Sequence, residues 1–104
     1  MSEYTRGPWL RDGRTVYALQ DSKSKFADKE NRFSAGFYSG NGCPEGEVMA
    51  NATLATAAPE LLEACLRIQA QFRQAGIESK AGSLNPIEDN AAQIDAVILK
   101  ALGQ

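Results

Sequence analysis

Arg6, Trp9, Arg11, Arg14, Tyr17, Arg32, Phe33, Phe37 and Tyr38 all lie within the first 38 positions and are of the types that grip phosphates and stack on bases. A guanidinium presents a fixed fork of donors that matches phosphate oxygens, and an aromatic face takes a base. On a small sheet these residues would suit a nucleotide or a single strand of nucleic acid. The same set also has an ordinary use, with aromatics filling a core and arginines lining a solvated edge. Arg67 and Arg73, much further along the chain, face either the same site or water.

Catalysis finds little support. The chain has no histidine, so the commonest general base is missing, and Ser–His or Cys–His nucleophile systems and histidine metal sites are excluded. Glu60 and Glu63 fall one turn apart on a helical stretch, and Glu45 and Glu47 lie near a helix start; acidic residues there suit the helix dipole as solvated partners. Cys43 and Cys65 are too few and too far apart for a disulfide scaffold or a cysteine metal site, and both read as reduced thiols, Cys65 in a core and Cys43 in a glycine-rich loop. The run "GNGCPEG" follows a strand and precedes a helix, yet Gly40, Gly42 and Gly46 miss the dinucleotide-loop spacing and no βαβ unit surrounds them. It reads as a flexible connection that is able to order over a ligand. No catalytic residue, no metal and no cofactor is expected.

The elements that would position the arginines and aromatics come next. "RTVYALQ" (14–20) and "RFSAGFYSG" (32–40) alternate as two antiparallel strands, with the charged stretch 21–31 looping between them. "GPWLRDGR" (7–14) adds a third, short strand through a turn at Asp12–Gly13. Helical periodicity then runs from about 47 to 74 through Leu54, Leu61, Leu62, Cys65, Leu66 and Phe72. Pro59 interrupts it, with no N–H to give and a ring that crowds the preceding turn. Because the apolar stripe keeps its phase, one helix kinked at Pro59 is expected, with a clean break there as the alternative. A final helix, about 86–102, opens on Asn85 as N-cap, Pro86 at the first helical position and Glu88 as a capping-box partner, and Gly103 stops it. The fold class is α+β: a small antiparallel sheet of two to four strands (7–40) followed by two antiparallel helices, in one domain spanning 1–104.

Composition fits that reading. With 104 residues, 43 % of them hydrophobic and 23 % charged, and a net charge of -2, the chain has the makeup of one small globular domain, without the charge of a nucleic-acid coat. Residues 1–32 carry a net +2 against -4 for the rest. No apolar run suits a membrane span, the polar N-terminus lacks the pattern of a signal peptide, and a cytosolic protein is expected. A chain this short has limited core, so pairing with further copies is expected as well.

Gly7, Pro8 and Trp9, followed by Asn51, Ala52, Leu54, Ala57, Ala58, Pro59, Glu60, Leu61, Leu62, Glu63, Ala64 and Leu66, resemble the GPW…NAxLxxAAPELLEAL signature of small phage and prophage accessory proteins. The resemblance covers about residues 6–72 and implies phage origin and action in the host cytoplasm. In outline the layout is similar to the Thoeris anti-defence sponges, oligomers that bind cyclic nucleotide immune signals without cleaving them. That likeness implies a sequestering role, with Arg14, Tyr17, Arg32, Phe37, Tyr38, Asn51 and Arg67 as ligand contacts at a pocket between subunits. The alternative is an inhibitor or regulator that covers a host defence protein with its acidic helical half; neither reading needs a membrane.

Overall fold

The computed structural model describes residues 4–20 and 31–104, so most of the charged loop expected over 21–31 lies outside the described residues. Three strands, β1 (Leu10–Asp12), β2 (Thr15–Leu19) and β3 (Asn31–Gly36), precede three helices, α1 (Glu45–Thr56), α2 (Ala58–Gln74) and α3 (Pro86–Ala101). The class is α+β, as the sequence indicates. The chain divides into two compact units, Tyr4–Glu60 and Leu61–Gln104.

In the first unit the strands form one antiparallel sheet in the order β1-β2-β3. Gly13 and Arg14 make the turn of the β1–β2 hairpin, with Asp12 opposite Thr15. Gly13 has a φ of 59°, while Arg14 stays at negative φ. That combination suits a type II′ turn, whose first central position favours glycine because its backbone twist matches the strands. Helix α1 packs on one face of the sheet, against β1 and β2. Val16 and Ala18 from β2 and Val48 and Ala52 from α1 are its buried core. Full burial of each valine contributes about 1.5–3 kcal/mol. Trp9 and Phe33 meet edge to face with ring centroids 5.1 Å apart, and the indole N–H donates to the Thr5 carbonyl at 2.9 Å.

The structure corrects the reading of two helices: the long one expected over 47–74 is two, α1 and α2. Pro59 has no N–H for the Ala55 carbonyl, so the ladder cannot pass through it. The chain instead closes α1 with a tighter bond, from the Ala57 N–H to the Leu54 carbonyl at 3.1 Å, and α2 restarts at Ala58 with Pro59 in its first turn. Pro59 is buried, and a Cβ on Gly7 would come within 3.1 Å of its Cβ. The two ends of the GPW…PELLE pattern therefore touch. The unbroken apolar phase misled because it is not one buried stripe: Leu54 is 66 % exposed and Leu61 53 %.

The second unit holds α3 and the part of α2 from Leu61, with Leu62, Ala91 and Ile98 buried. Asn85 caps α3 as expected, its Oδ1 accepting from the Ile87 N–H at 3.1 Å. Glu88 does not close a capping box; it accepts from the Ser83 hydroxyl at 2.7 Å, and Ser83 Oγ in turn accepts from the Asn85 N–H at 3.1 Å. A serine two positions upstream thus stands between the two groups a box would join. Gly103, at φ 77°, ends α3 with the Gln104 N–H on the Leu99 carbonyl at 2.8 Å, the glycine stop expected from sequence. Gln69 donates to Asp95 Oδ1 at 2.7 Å and Ser79 to Oδ2 at 2.6 Å, tying α2, the connecting loop and α3 together. Those two bonds, Gln69 first, hold the Asp95 carboxyl below its ordinary value. Cys65 is half-buried rather than fully in the core, and both thiols are free.

Candidate functional site

Strand alternation decides which residues the sheet offers to solvent. Val16 and Ala18 face α1, so Thr15, Tyr17 and Leu19 point to the opposite, outer face. The register places Leu10 and Ser34 on either side of Tyr17, and Asp12 and Gly36 on either side of Thr15. Tyr17 thus occupies the middle of a three-strand row. Leu19, Ser34 and Gly36 are exposed, and Leu10 and Tyr17 half-buried.

Two more candidates join that face. A Cβ on Gly36 would project to the outer side, where it would meet the Tyr38 hydroxyl at 2.8 Å and ring carbons at 3.1 and 3.3 Å. The Tyr38 ring therefore folds back over Gly36 and still leaves Tyr38 85 % exposed. At the other end of β3, Ala18 pairs with Phe33 and Leu19 with Asn31, so Arg32 is the extra residue of a bulge. With Asn31 it stands opposite Leu19, which faces outward, and it is exposed. Tyr17, Tyr38 and Arg32 are the candidates that the sheet collects on one surface.

The remaining four lie elsewhere. Arg14 turns from the hairpin to α1, where its Nη2 meets Glu45 Oε1 at 3.1 Å. Its neighbour Arg11 points the same way, with Nη1 3.0 Å from the Gly13 carbonyl and 3.9 Å from the Met49 sulfur. Both arginines help seat the hairpin on the helix. Phe37 extends the β2–β3 ladder by donating its N–H to the Arg14 carbonyl at 2.8 Å; by alternation with Phe33 and Ala35 its ring lies on the inner side, half-buried. Asn51 is exposed on α1, and Arg67 is exposed on α2 in the second unit.

Sequence reasoning missed Gly36 because it has no side chain of its own. The signal was present all the same: a glycine two residues before a tyrosine on one strand face leaves the aromatic room to lie flat. The connection before α1, residues 37–44, contains Cys43, whose thiol is pushed up, first by desolvation and then by the Glu47 carboxylate. Such a thiol is mostly protonated at neutral pH and a poor nucleophile. The face as a whole offers aromatic side chains and one guanidinium.

A family model described as Salmonella phage P22 protein Y8K6 matches residues 1–104. No curated protein and no solved structure matches the chain. The match spans the whole chain, and among the described residues no helix is long and apolar enough to cross a membrane.

Proposed function

The chain belongs to the Salmonella phage P22 protein Y8K6 family, and from that premise we propose that it is an anti-defence protein that binds a host cyclic nucleotide signal in the host cytoplasm and holds it uncleaved. One observation carries the reading: Tyr17, Tyr38 and Arg32 share the open outer face of the sheet, with Gly36 giving Tyr38 its place there. Stacking on an aromatic plane contributes about 1–3 kcal/mol per base, and an exposed guanidinium at the bulge takes a phosphate. A chain without histidine, in which the Cys43 thiol is pushed up, fits sequestration better than turnover.

The test is a thermal-shift screen against cyclic di- and trinucleotides and cyclic ADP-ribose isomers, with the nucleotide recovered and weighed by mass spectrometry. A ligand at a hundred times its Kd stabilises by about 2.7 kcal/mol, which at this chain length is a rise in Tm of several degrees. We expect that rise with intact nucleotide, and its loss in Arg32→Ala and Tyr38→Ala. A cleaved nucleotide would make the protein an enzyme, and no shift with any of the panel would remove the reading. A second reading, cover for a host defence protein, has its own observation in Leu54, 66 % exposed on α1, a helix that opens on the acidic Glu45 and Glu47; it predicts a salt-dependent protein partner and no nucleotide shift.

A further inference from the structure

In the unit from Leu61 to Gln104, α2 and α3 run antiparallel. The Ile77 N–H bonds the Phe72 carbonyl at the end of α2, the Lys80 N–H bonds the Glu88 carbonyl in the first turn of α3, and Gln69 meets Asp95 at mid-length. Leu62 and Gln69 point from α2 toward α3, and Ala91 and Ile98 point back. At about 100° per residue, Leu61 and Ile68 then stand to one side of α2, and Val97 and Ala101 to the same side of α3. Ile68 and Val97 come level, because Gln69 and Asp95 do. These residues are largely uncovered: Leu61 is 53 % exposed, Ile68 39 % and Val97 53 %. Phe72 and Ile94, half-buried, complete the stripe.

We infer that this face docks on the same face of a second copy of the chain, making an antiparallel four-helix contact. Three features select that occupant. The stripe holds no Lys, Arg, Asp or Glu, so a two-fold axis sets no like charges against each other; the opposite side of the pair, with Leu99, also carries Arg73 and Glu88. The α2 residues 61–74 and the whole of α3 give a face about 21–24 Å long and about 20 Å wide, roughly 450 Å² in projection, a footprint at the small end of interfaces between stable partners. Finally, this unit buries only Leu62, Ala91 and Ile98 among its large and small apolar side chains, too little core for a helical pair to remain uncovered. The spacing of Leu61 and Ile68, two turns apart, repeats as in helical seams that interlock with their own copies.

The experiment is sedimentation equilibrium on the full chain over a concentration series, with circular dichroism on each variant. The expected result is a mass of two chains, reduced to one in the double variant Ile68→Glu, Val97→Glu, and kept at two in Leu99→Glu on the opposite side. Should the double variant lose its helical signal, Val97→Ala replaces it and is expected to weaken association about ten-fold. Methyl NMR with a soluble paramagnetic agent adds a readout without mutation: the Ile68 and Val97 methyls become protected as concentration rises while Leu99 does not. A wild type that stays one chain throughout, an assembly that survives both face variants, or unprotected Ile68 and Val97 would each overturn the inference.

Discussion

Gly36 is where a residue without chemistry governs one that has it. Its missing side chain leaves the space the Tyr38 ring fills, with the hydroxyl 2.8 Å from the Cβ that any other residue would add. Gly36→Ala should therefore push Tyr38 off the outer face while leaving the strand as stable or slightly more so, since alanine loses less chain entropy than glycine on folding. Nucleotide affinity is expected to fall about ten-fold with an unchanged or raised Tm; calorimetric titration beside a melting curve reads both, and an unchanged Kd would take Tyr38 out of the site. Asp95 gives a second residue-scale prediction, this time in pH. Hydrogen bonds from Gln69 and Ser79 lower its folded pKa beneath the ordinary 3.8. Its stabilising share is complete above about pH 4 and disappears as pH falls through the lowered folded value. Urea midpoints should show wild type ahead of Asp95→Asn at pH 6 and the two converging toward pH 2; a gap that holds constant with pH would contradict the assignment.

Among the elements, the break between α1 and α2 is built from both sides. Pro59 ends the hydrogen-bond ladder, and Gly7, 3.1 Å away at its would-be Cβ, lets the N-terminal segment lie against the proline ring. Gly7→Leu forces extra volume into that contact and should cost about 1–3 kcal/mol, seen as a lower urea midpoint, whereas the same change at Gly40, likewise exposed but with nothing within 4 Å, should cost far less. Equal losses at the two glycines would mean the Gly7–Pro59 contact does not matter. The elements were largely legible in the sequence: strand alternation around Val16 and Ala18, the hairpin at Gly13, the Asn85 cap and the Gly103 stop each follow from a local rule. The third helix was legible only as the alternative, a clean break at Pro59, because the unbroken apolar phase was given more weight than the missing N–H. Leu54 and Leu61 keep phase across Pro59 and yet remain largely uncovered.

For the whole molecule, the legible part of the site was its composition and the illegible part its partition. Arg14 and Arg11 look, as residue types, as ready for phosphate as Arg32. The hairpin turns the first two toward α1, where Glu45 and Met49 occupy them, and the bulge leaves the third on the open face. Which arginine is engaged depends on pairing between segments 31 residues apart, and no spacing rule in the sequence reports that. The claim that follows, nucleotide sequestration on the outer face of the sheet, is tested most directly by two-dimensional amide NMR of the full chain titrated with the nucleotide that gives the largest thermal shift. Sequestration on this face predicts saturable shifts confined to the rows of Tyr17, Ser34 and Gly36, to Arg32 and to Tyr38, with α3 unmoved and the ligand spectrum unchanged after hours of incubation. Shifts centred on α3, shifts spread over Arg14 and Phe37 on the inner side alone, or new ligand resonances that signal turnover would contradict it.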